Sequence, residues 1–297
     1  MNIVMTGATS GIGAEGLKYF AKLPETKVYV GARGSARDVP KSVEVLPLDL
    51  SSLKSVRLFA DNIKQRLENT KIDILVLNAG IQATDGKQRS EEGFELTFAT
   101  NHLAHYLLAR LLVPNLARGG KIVITTSDAH DPSVIFFGPK TLDPAALAYP
   151  NEENPKGMRL YAATKLCNLL TARSLASIII EEDRGIDVIA YNPGLTGDTS
   201  LMGKQSALIK MLLPVFIRPL FSVISMLKPA FFMGTAKRSG EALAELALGK
   251  VTLPTGKIYA SLVREKLTFP HIAQLAQDNN TRDLLWKESA KMVGLPE

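Results

Sequence analysis

Short apolar runs rich in β-branched residues alternate with longer amphipathic stretches along most of the chain. The short runs predict strands at residues 2–6, 27–32, 43–47, 73–78, 121–126, 186–191 and 257–261. Ile72-Asp73-Ile74-Leu75-Val76-Leu77 is apolar at nearly every position, as a strand covered on both faces requires. Between the runs, apolar positions recur at helical spacing over residues 12–23, 52–68, 91–116, 159–180 and 235–248. A last helix near 283–292 carries the only tryptophan, Trp286, which reads as a packing anchor. This alternation predicts an α/β fold: a Rossmann-type doubly wound parallel sheet of about seven strands, with right-handed crossovers and helices on both faces. No repeat or low-complexity linker divides residues 1–297, so a single domain is expected.

Two segments break the rhythm. Residues 128–157 are rich in Pro, Asp and Asn, and residues 195–233 are rich in Gly, Pro and large apolar side chains. Long excursions inside a compact domain are usually functional, and ligands bind at the carboxyl ends of strands in such sheets. Residues 195–233 read as a substrate lid, or alternatively as a surface that docks on a membrane through its apolar residues with Lys210, Arg218 and Lys228. Lys210, Pro214, Arg218, Pro219, Lys228 and Pro229 interrupt the apolar stretch 207–233, so no transmembrane segment is expected while peripheral membrane contact stays open.

Charge and cysteine content narrow the function classes. The formal net charge is +6, with Lys and Arg spread along the chain in no basic run, which argues against nucleic acid and fits a phosphate-bearing cofactor. Cys167 is the only cysteine, so no internal disulfide forms and a reducing, cytoplasmic setting is expected. The opening Met1-Asn2-Ile3-Val4-Met5-Thr6 lacks the features of a signal peptide. The sequence is compatible with a homo-oligomer and does not specify one. His102, His105, His130 and His271 form no cluster with carboxylates or Cys167 at ligand spacing, so no metal site is expected.

The first strand runs into Thr6-Gly7-Ala8-Thr9-Ser10-Gly11-Ile12-Gly13 and then into a helix. Glycines in that position let backbone N–H groups and a helix N-terminus approach a pyrophosphate. The second strand ends in Gly31-Ala32-Arg33, with Arg37 close behind and no acid where an NAD site would place one. A guanidinium there suits the 2′-phosphate of NADP(H). Asp49, followed by Leu50, could accept from an adenine amino group or cap the helix from Ser52. Asn78-Ala79-Gly80 ends the fourth strand with small residues that let backbone lie against a ribose.

Tyr161-Ala162-Ala163-Thr164-Lys165 puts a phenol and an ammonium on one face of a helix. A neighbouring cation favours the phenolate and would bring Tyr161 toward useful acid–base chemistry. Cys167, two residues on, points away from that face and reads as a small buried residue.

Thr-Gly-x-x-x-Gly-x-Gly at 6–13, Asn-Ala-Gly at 78–80, Tyr-x-x-x-Lys at 161–165 and Asn-Pro-Gly at 192–194 occur in that order. The chain thereby resembles the short-chain dehydrogenase/reductase family. The resemblance implies that Asn101 holds a water beside the lysine and that Ser127 hydrogen-bonds the substrate oxygen. It also implies that Pro193, Gly194 and Thr196 or Thr199 line the nicotinamide end. Glu92-Gly93-Phe94-Glu95, Thr100-Asn101-His102-Leu103, Lys165-Leu166-Cys167-Asn168 and the tail from Trp286 to Leu295 resemble the retinol dehydrogenase and light-dependent protochlorophyllide reductase branch, although Ala104 stands where that branch commonly has glycine. The implied activity is hydride transfer between NADP(H) and an apolar or conjugated carbonyl or alcohol. The alternatives are reduction of a ring double bond and a non-catalytic NADP-binding scaffold.

Overall fold

The computed structural model describes residues 1–34, 39–83, 86–151, 155–197, 225 and 228–297. Side chains along each central strand alternate between two apolar layers, as the two-residue strand period dictates. Val4, Leu75, Ile122 and Val188 face one layer, and Ile3, Met5, Val76, Val123 and Ile189 face the other. The sheet is therefore buried on both faces, and this is why its strands read as continuous apolar runs.

The principal sheet contains β1 (Asn2–Thr6), β2 (Lys27–Ala32), β3 (Val43–Pro47), β4 (Ile72–Leu77), β5 (Leu116–Thr125), β6 (Asp187–Asn192), β9 (Tyr259–Val263) and β10 (Lys266–Thr268). Their spatial order is β10-β9-β6-β5-β4-β1-β2-β3, parallel throughout except for the β9–β10 pair. The order reverses direction between β1 and β4, which makes the switch point where such sheets bind ligands. A two-residue pair, β7 (Leu195–Thr196) with β8 (Met233–Gly234), joins the two ends of the second excursion. Residues 198–224 and 226–227, most of the expected lid, lie outside the described residues.

One face is covered by α1 (Gly11–Phe20) and α7 (Ala236–Ala247). The other carries α2 (Leu53–Leu67), α4 (Ala104–Leu112), α6 (Gly157–Glu181) and α9 (Asn279–Met292), with the short α5 (Pro144–Ala148) and α8 (Gln274–Gln277) packed on them. Among the described residues α6 is the one helix long and apolar enough to cross a bilayer, but most of its apolar window is buried in this core.

The main sheet has eight strands, close to the seven expected; the added one, β10, returns from β9 through Arg264 and Glu265, both at positive φ. Hairpin turns of that kind normally announce themselves by Asn or Gly, and here neither is present. The helix expected over 91–116 is broken into α3 (Leu96–Phe98), a π-turn (Ala99–Leu103), α4 and a 3₁₀ turn (Val113–Asn115). Its expected first acids cap α2 instead: Ser52 Oγ donates to Glu91 Oε2 (2.6 Å) and the Leu53 N–H donates to Glu92 Oε1 (2.7 Å). Gly93, at φ +85°, turns the chain, and buried Glu95 then caps α3 by accepting from the Phe98 N–H (2.7 Å).

Trp286 anchors α9, as its composition suggested. Its ring meets Tyr106 edge-on at 4.8 Å, and the Arg110 guanidinium lies 4.9 Å from it. Nearby, His102 Nε2 lies 2.7 Å from Ser289 Oγ. Burial pushes His102 down to about 3 and His105 down to about 4. Both are neutral in the fold, whereas in the unfolded chain each takes up a proton near pH ~6.5. Stability therefore falls as pH drops below about 6.5, by roughly 1.4 kcal/mol per pH unit for each histidine, until the folded-state values are reached. Urea midpoints measured between about pH 7 and about pH 5 should fall steeply, and His102→Gln should flatten the slope. An unchanged slope in that variant would refute the assignment.

Candidate active site

The β1–α1 turn is built so that backbone, not side chains, meets what lies above it. Gly7 has φ +67°, and a Cβ there would come within 2.5 Å of Ala79 Cα. A Cβ on Gly13 would overlap Gly7 O. Asn78 fixes the turn: its Nδ2 donates to Gly7 O (3.0 Å), while its Oδ1 accepts from Thr125 Oγ1 (3.0 Å). Thr9 and Ser10 are exposed above the turn, and Gly11 and Ile12 are half-buried. The Ser10 side chain does not cap α1. A bare backbone at an uncapped helix start is the surface a pyrophosphate requires.

Thr6 couples this turn to the next strand end. Its Oγ1 accepts from the N–H groups of Asn78 (3.1 Å) and Ala79 (3.3 Å) and lies 2.9 Å from His105 Nε2. The hydroxyl proton is then directed to His105 Nε2, and Nδ1–H donates to Asn101 O (3.1 Å), a tautomer consistent with a neutral ring.

Arg33 is exposed just past β2, whose Gly31 is in register with Thr6, so the guanidinium rises from the same end of the sheet as the glycine turn. Arg37 lies outside the described residues. Asp49 does not cap α2; Ser52 does, accepting from the Ser55 N–H (3.2 Å). Asp49 Oδ1 accepts from the Ser51 N–H (2.9 Å) and hydroxyl (2.7 Å), and both Asp49 and Leu50 are half-buried.

Asn101 sits in the π-turn, a helix irregularity common at functional sites. Its side chain clasps the loop after β4: the Ile81 N–H donates to Oδ1 (2.8 Å), and Nδ2 donates to Ile81 O (2.9 Å) and Thr164 Oγ1 (3.1 Å). Lys165 Nζ donates to Thr125 O (3.1 Å), which Asn168 Nδ2 also reaches (3.1 Å). Gly80 faces both groups; a Cβ built on it would sit 3.5 Å from Lys165 Nζ and 3.6 Å from Asn101 Oδ1. The Tyr161 ring centroid is 5.5 Å from Lys165 Nζ, and its phenol is within hydrogen-bonding reach of Ser127. Asn101, Ser127, Tyr161 and Lys165 thus come together at the carboxyl ends of β4 and β5.

The electrostatics differ from the expectation that Lys165 lowers the phenol. Burial pushes Tyr161 above its ordinary value, opposed by the Ser127 hydrogen bond. Burial likewise pushes Lys165 down to about 8. Desolvation is the largest cause for each group. Cys167 is fully buried in the core, as expected of a small apolar side chain.

At the far side, Gly194 has φ +71° and its N–H donates to Asn192 Oδ1 (3.1 Å). Thr196 Oγ1 lies 3.3 Å from Gly194 O and 3.2 Å from Ser239 Oγ; Thr199 lies outside the described residues. Sequence reasoning missed Thr6, His105, Thr125 and Asn168. Thr6 carried a signal as the first residue of the Thr-Gly-x-x-x-Gly-x-Gly motif, and Asn168 by its place one helical turn beyond Lys165.

The family model described as short chain dehydrogenase matches residues 1–138. The protochlorophyllide reductase of Avena sativa is 28% identical over 324 residues, covering 99% of both chains. An uncharacterized protein from Mycobacterium paratuberculosis shares the fold with a TM-score of 0.68 and 24% identity, over 99% of this chain and 93% of that one. A short chain dehydrogenase from Burkholderia cenocepacia J2315, solved in complex with NADP, has a TM-score of 0.59 and 21% identity over 82% of this chain and 89% of its own. Likeness that runs the full length of the chain, added to a family-model match over its first 138 residues and the assembled phenol and ammonium beyond it, makes the chain similar to the short-chain dehydrogenases/reductases and, among them, to the protochlorophyllide reductases.

Proposed function

We propose that this chain is an NADP(H)-dependent enzyme that interconverts an apolar or conjugated carbonyl with its alcohol, with Tyr161 as general acid and base. The observation that carries this reading is the convergence of Tyr161, Lys165 and Ser127 beside the Gly80 backbone, on the same end of the sheet as the bare glycine turn. NADP(H), when bound, supplies or accepts the hydride. The turn from Gly7 to Gly13, with Thr9, Ser10 and Ile12, holds the pyrophosphate against the start of α1. Asp49 and Leu50 border the adenine, and Asn78, Ala79 and Gly80 offer backbone to the ribose. Pro193, Gly194 and Thr196 border the nicotinamide end. Ser127 and Tyr161 polarise the substrate oxygen, Tyr161 passes the proton, and Lys165 binds ribose and favours the phenolate through its positive charge.

An apolar substrate is supported by the first excursion. Phe137 packs against the cluster that holds Tyr161, and Phe136 meets it edge-on at 5.3 Å while 85% exposed. The test is an NADPH-consumption screen over aldehydes, ketones, quinones and conjugated ring compounds. Turnover with apolar carbonyls is the expected result, and no turnover with any class would defeat the proposal. The full-length likeness to the Avena sativa protein favours a second reading, reduction of a ring double bond, which predicts light-dependent turnover confined to the conjugated-ring arm.

The cofactor assignment has its own test. A guanidinium bound to a phosphate is worth on the order of ten- to a hundredfold in affinity. Arg33→Ala should weaken NADPH binding by that amount and leave NADH binding nearly unchanged, measured by quenching of Trp286 fluorescence or by calorimetry. Equal losses for the two cofactors would remove the 2′-phosphate role.

A further inference from the structure

β9 places Tyr259 and Ser261 on one face of the sheet, in register with Ala190 and Asn192 of β6. The Tyr259 side chain is buried, and its hydroxyl donates to Asp128 Oδ1 at 2.7 Å. The side chains of Ser261 and Asn192, next along the same face, favour its ionised form and so oppose the upward push of burial and Asp128. Asn192 Nδ2 donates to Ser261 Oγ (2.9 Å), leaving its Oδ1 to receive the Gly194 N–H (3.1 Å). Gly194 has no slack, since a Cβ there would lie 2.5 Å from Leu262 O.

On the other side, Asp128 directly follows Ser127. His130 Nδ1 lies 2.6 Å from Ser127 O, the Ala129 N–H donates to Ser127 Oγ (3.2 Å), and the His130 ring meets Tyr259 edge-on at 5.4 Å. One phenol therefore bonds the turn that carries Ser127, and its own strand, through Ser261, holds the asparagine that carries Gly194, two segments remote in sequence.

We infer that Tyr259 is a positioning residue that locks the Ser127 turn and the Pro193-Gly194 turn at a fixed separation. This rests on the reading of those turns as the carbonyl and nicotinamide ends of one reaction site. Tyr259 touches none of the reacting groups itself. Its hydroxyl sets the distance between the residue that holds the substrate oxygen and the backbone that borders the hydride carrier, and small misplacements at such distances cost rate steeply.

The experiment compares wild type, Tyr259→Phe, Asp128→Ala and Asp128→Asn by amide hydrogen exchange without ligand and by steady-state kinetics. Phe keeps the ring against His130 and removes only the hydroxyl. Exchange at Ala129, His130 and Gly194 should quicken together by about tenfold, the worth of one buried hydrogen bond, with β1 and β2 unaffected. Asp128→Ala should reproduce this pattern, whereas Asp128→Asn, which keeps an acceptor for the phenol, should restore it. In the active enzyme, kcat of Tyr259→Phe should fall about ten- to a hundredfold with the carbonyl KM little changed. Exchange that quickens only within β9, or an unchanged kcat in an active enzyme, overturns the inference and leaves the proposed activity standing. Joint loosening of the two turns in a chain that reduces no carbonyl supports the lock and defeats the proposed activity instead.

Discussion

Tyr161→Phe should lose turnover by about 10²- to 10⁴-fold while binding NADPH as wild type does. The substitution removes one oxygen. The ring stays in its cluster with Ala129 and Ala162, so no cavity opens, and a buried phenol that lacks its hydroxyl leaves only the Ser127 side chain to find another partner. Ser127 would still polarise a carbonyl but would have no phenol to hand the proton across. The loss should therefore fall on kcat and kcat/KM together, with the substrate KM nearly constant, because proton transfer belongs to the transition state and not to the bound substrate. NADPH affinity is the control, since the pyrophosphate turn and Arg33 lie apart from the phenol. Equal turnover by wild type and variant across the carbonyl panel would mean that the chain keeps the fold without this chemistry, as a binding scaffold would.

Most of the sheet was legible because its strands are buried on both faces, which leaves a continuous apolar run that no amphipathic helix imitates. β10 escaped because its turn uses Arg264 and Glu265 at positive φ, residues that carry no turn signature. The 91–116 region misled for a different reason. Glu91 and Glu92 look like the acidic first turn of a helix, yet their carboxylates serve the start of α2, a contact across the tertiary fold. The same division holds in the site. Tyr161 and Lys165 sit four apart on one helix, a local relation that spacing reveals. Thr6, His105, Thr125 and Tyr259 act through partners tens of residues away, and nothing in their neighbours along the chain points to those partners. Nor does spacing reveal burial, which pushes the phenol up and the ammonium down, opposite to the simple expectation for an isolated ion pair.

Lys165→Met should make the ligand-free protein more stable and the enzyme inactive. Lys165 is almost wholly buried, and burial brings it down to about 8 from an ordinary value of 10.5. Between those two values the unfolded chain holds a proton that the folded chain has released, so stability rises with pH across the window and is lowest below it. At neutral pH the ammonium is charged in both states, and its dehydration costs on the order of 3 kcal/mol. Met fills similar volume without charge. The acceptor it abandons, Thr125 O, keeps the Asn168 Nδ2 donor at 3.1 Å, so no buried carbonyl is orphaned. The gain should appear as a rise in Tm of about 5 °C near pH 7. It should shrink toward about pH 9.5, a limit set below the range where buried tyrosines begin to oppose the trend. Wild type should also gain more from saturating NADPH than the variant does, since cofactor hydrogen bonds would compensate an ammonium that the empty fold leaves poorly solvated. A variant no more stable than wild type at neutral pH, with the same pH slope, would show that Lys165 bears no such cost. The stored penalty would then be no part of how this site readies its proton donor.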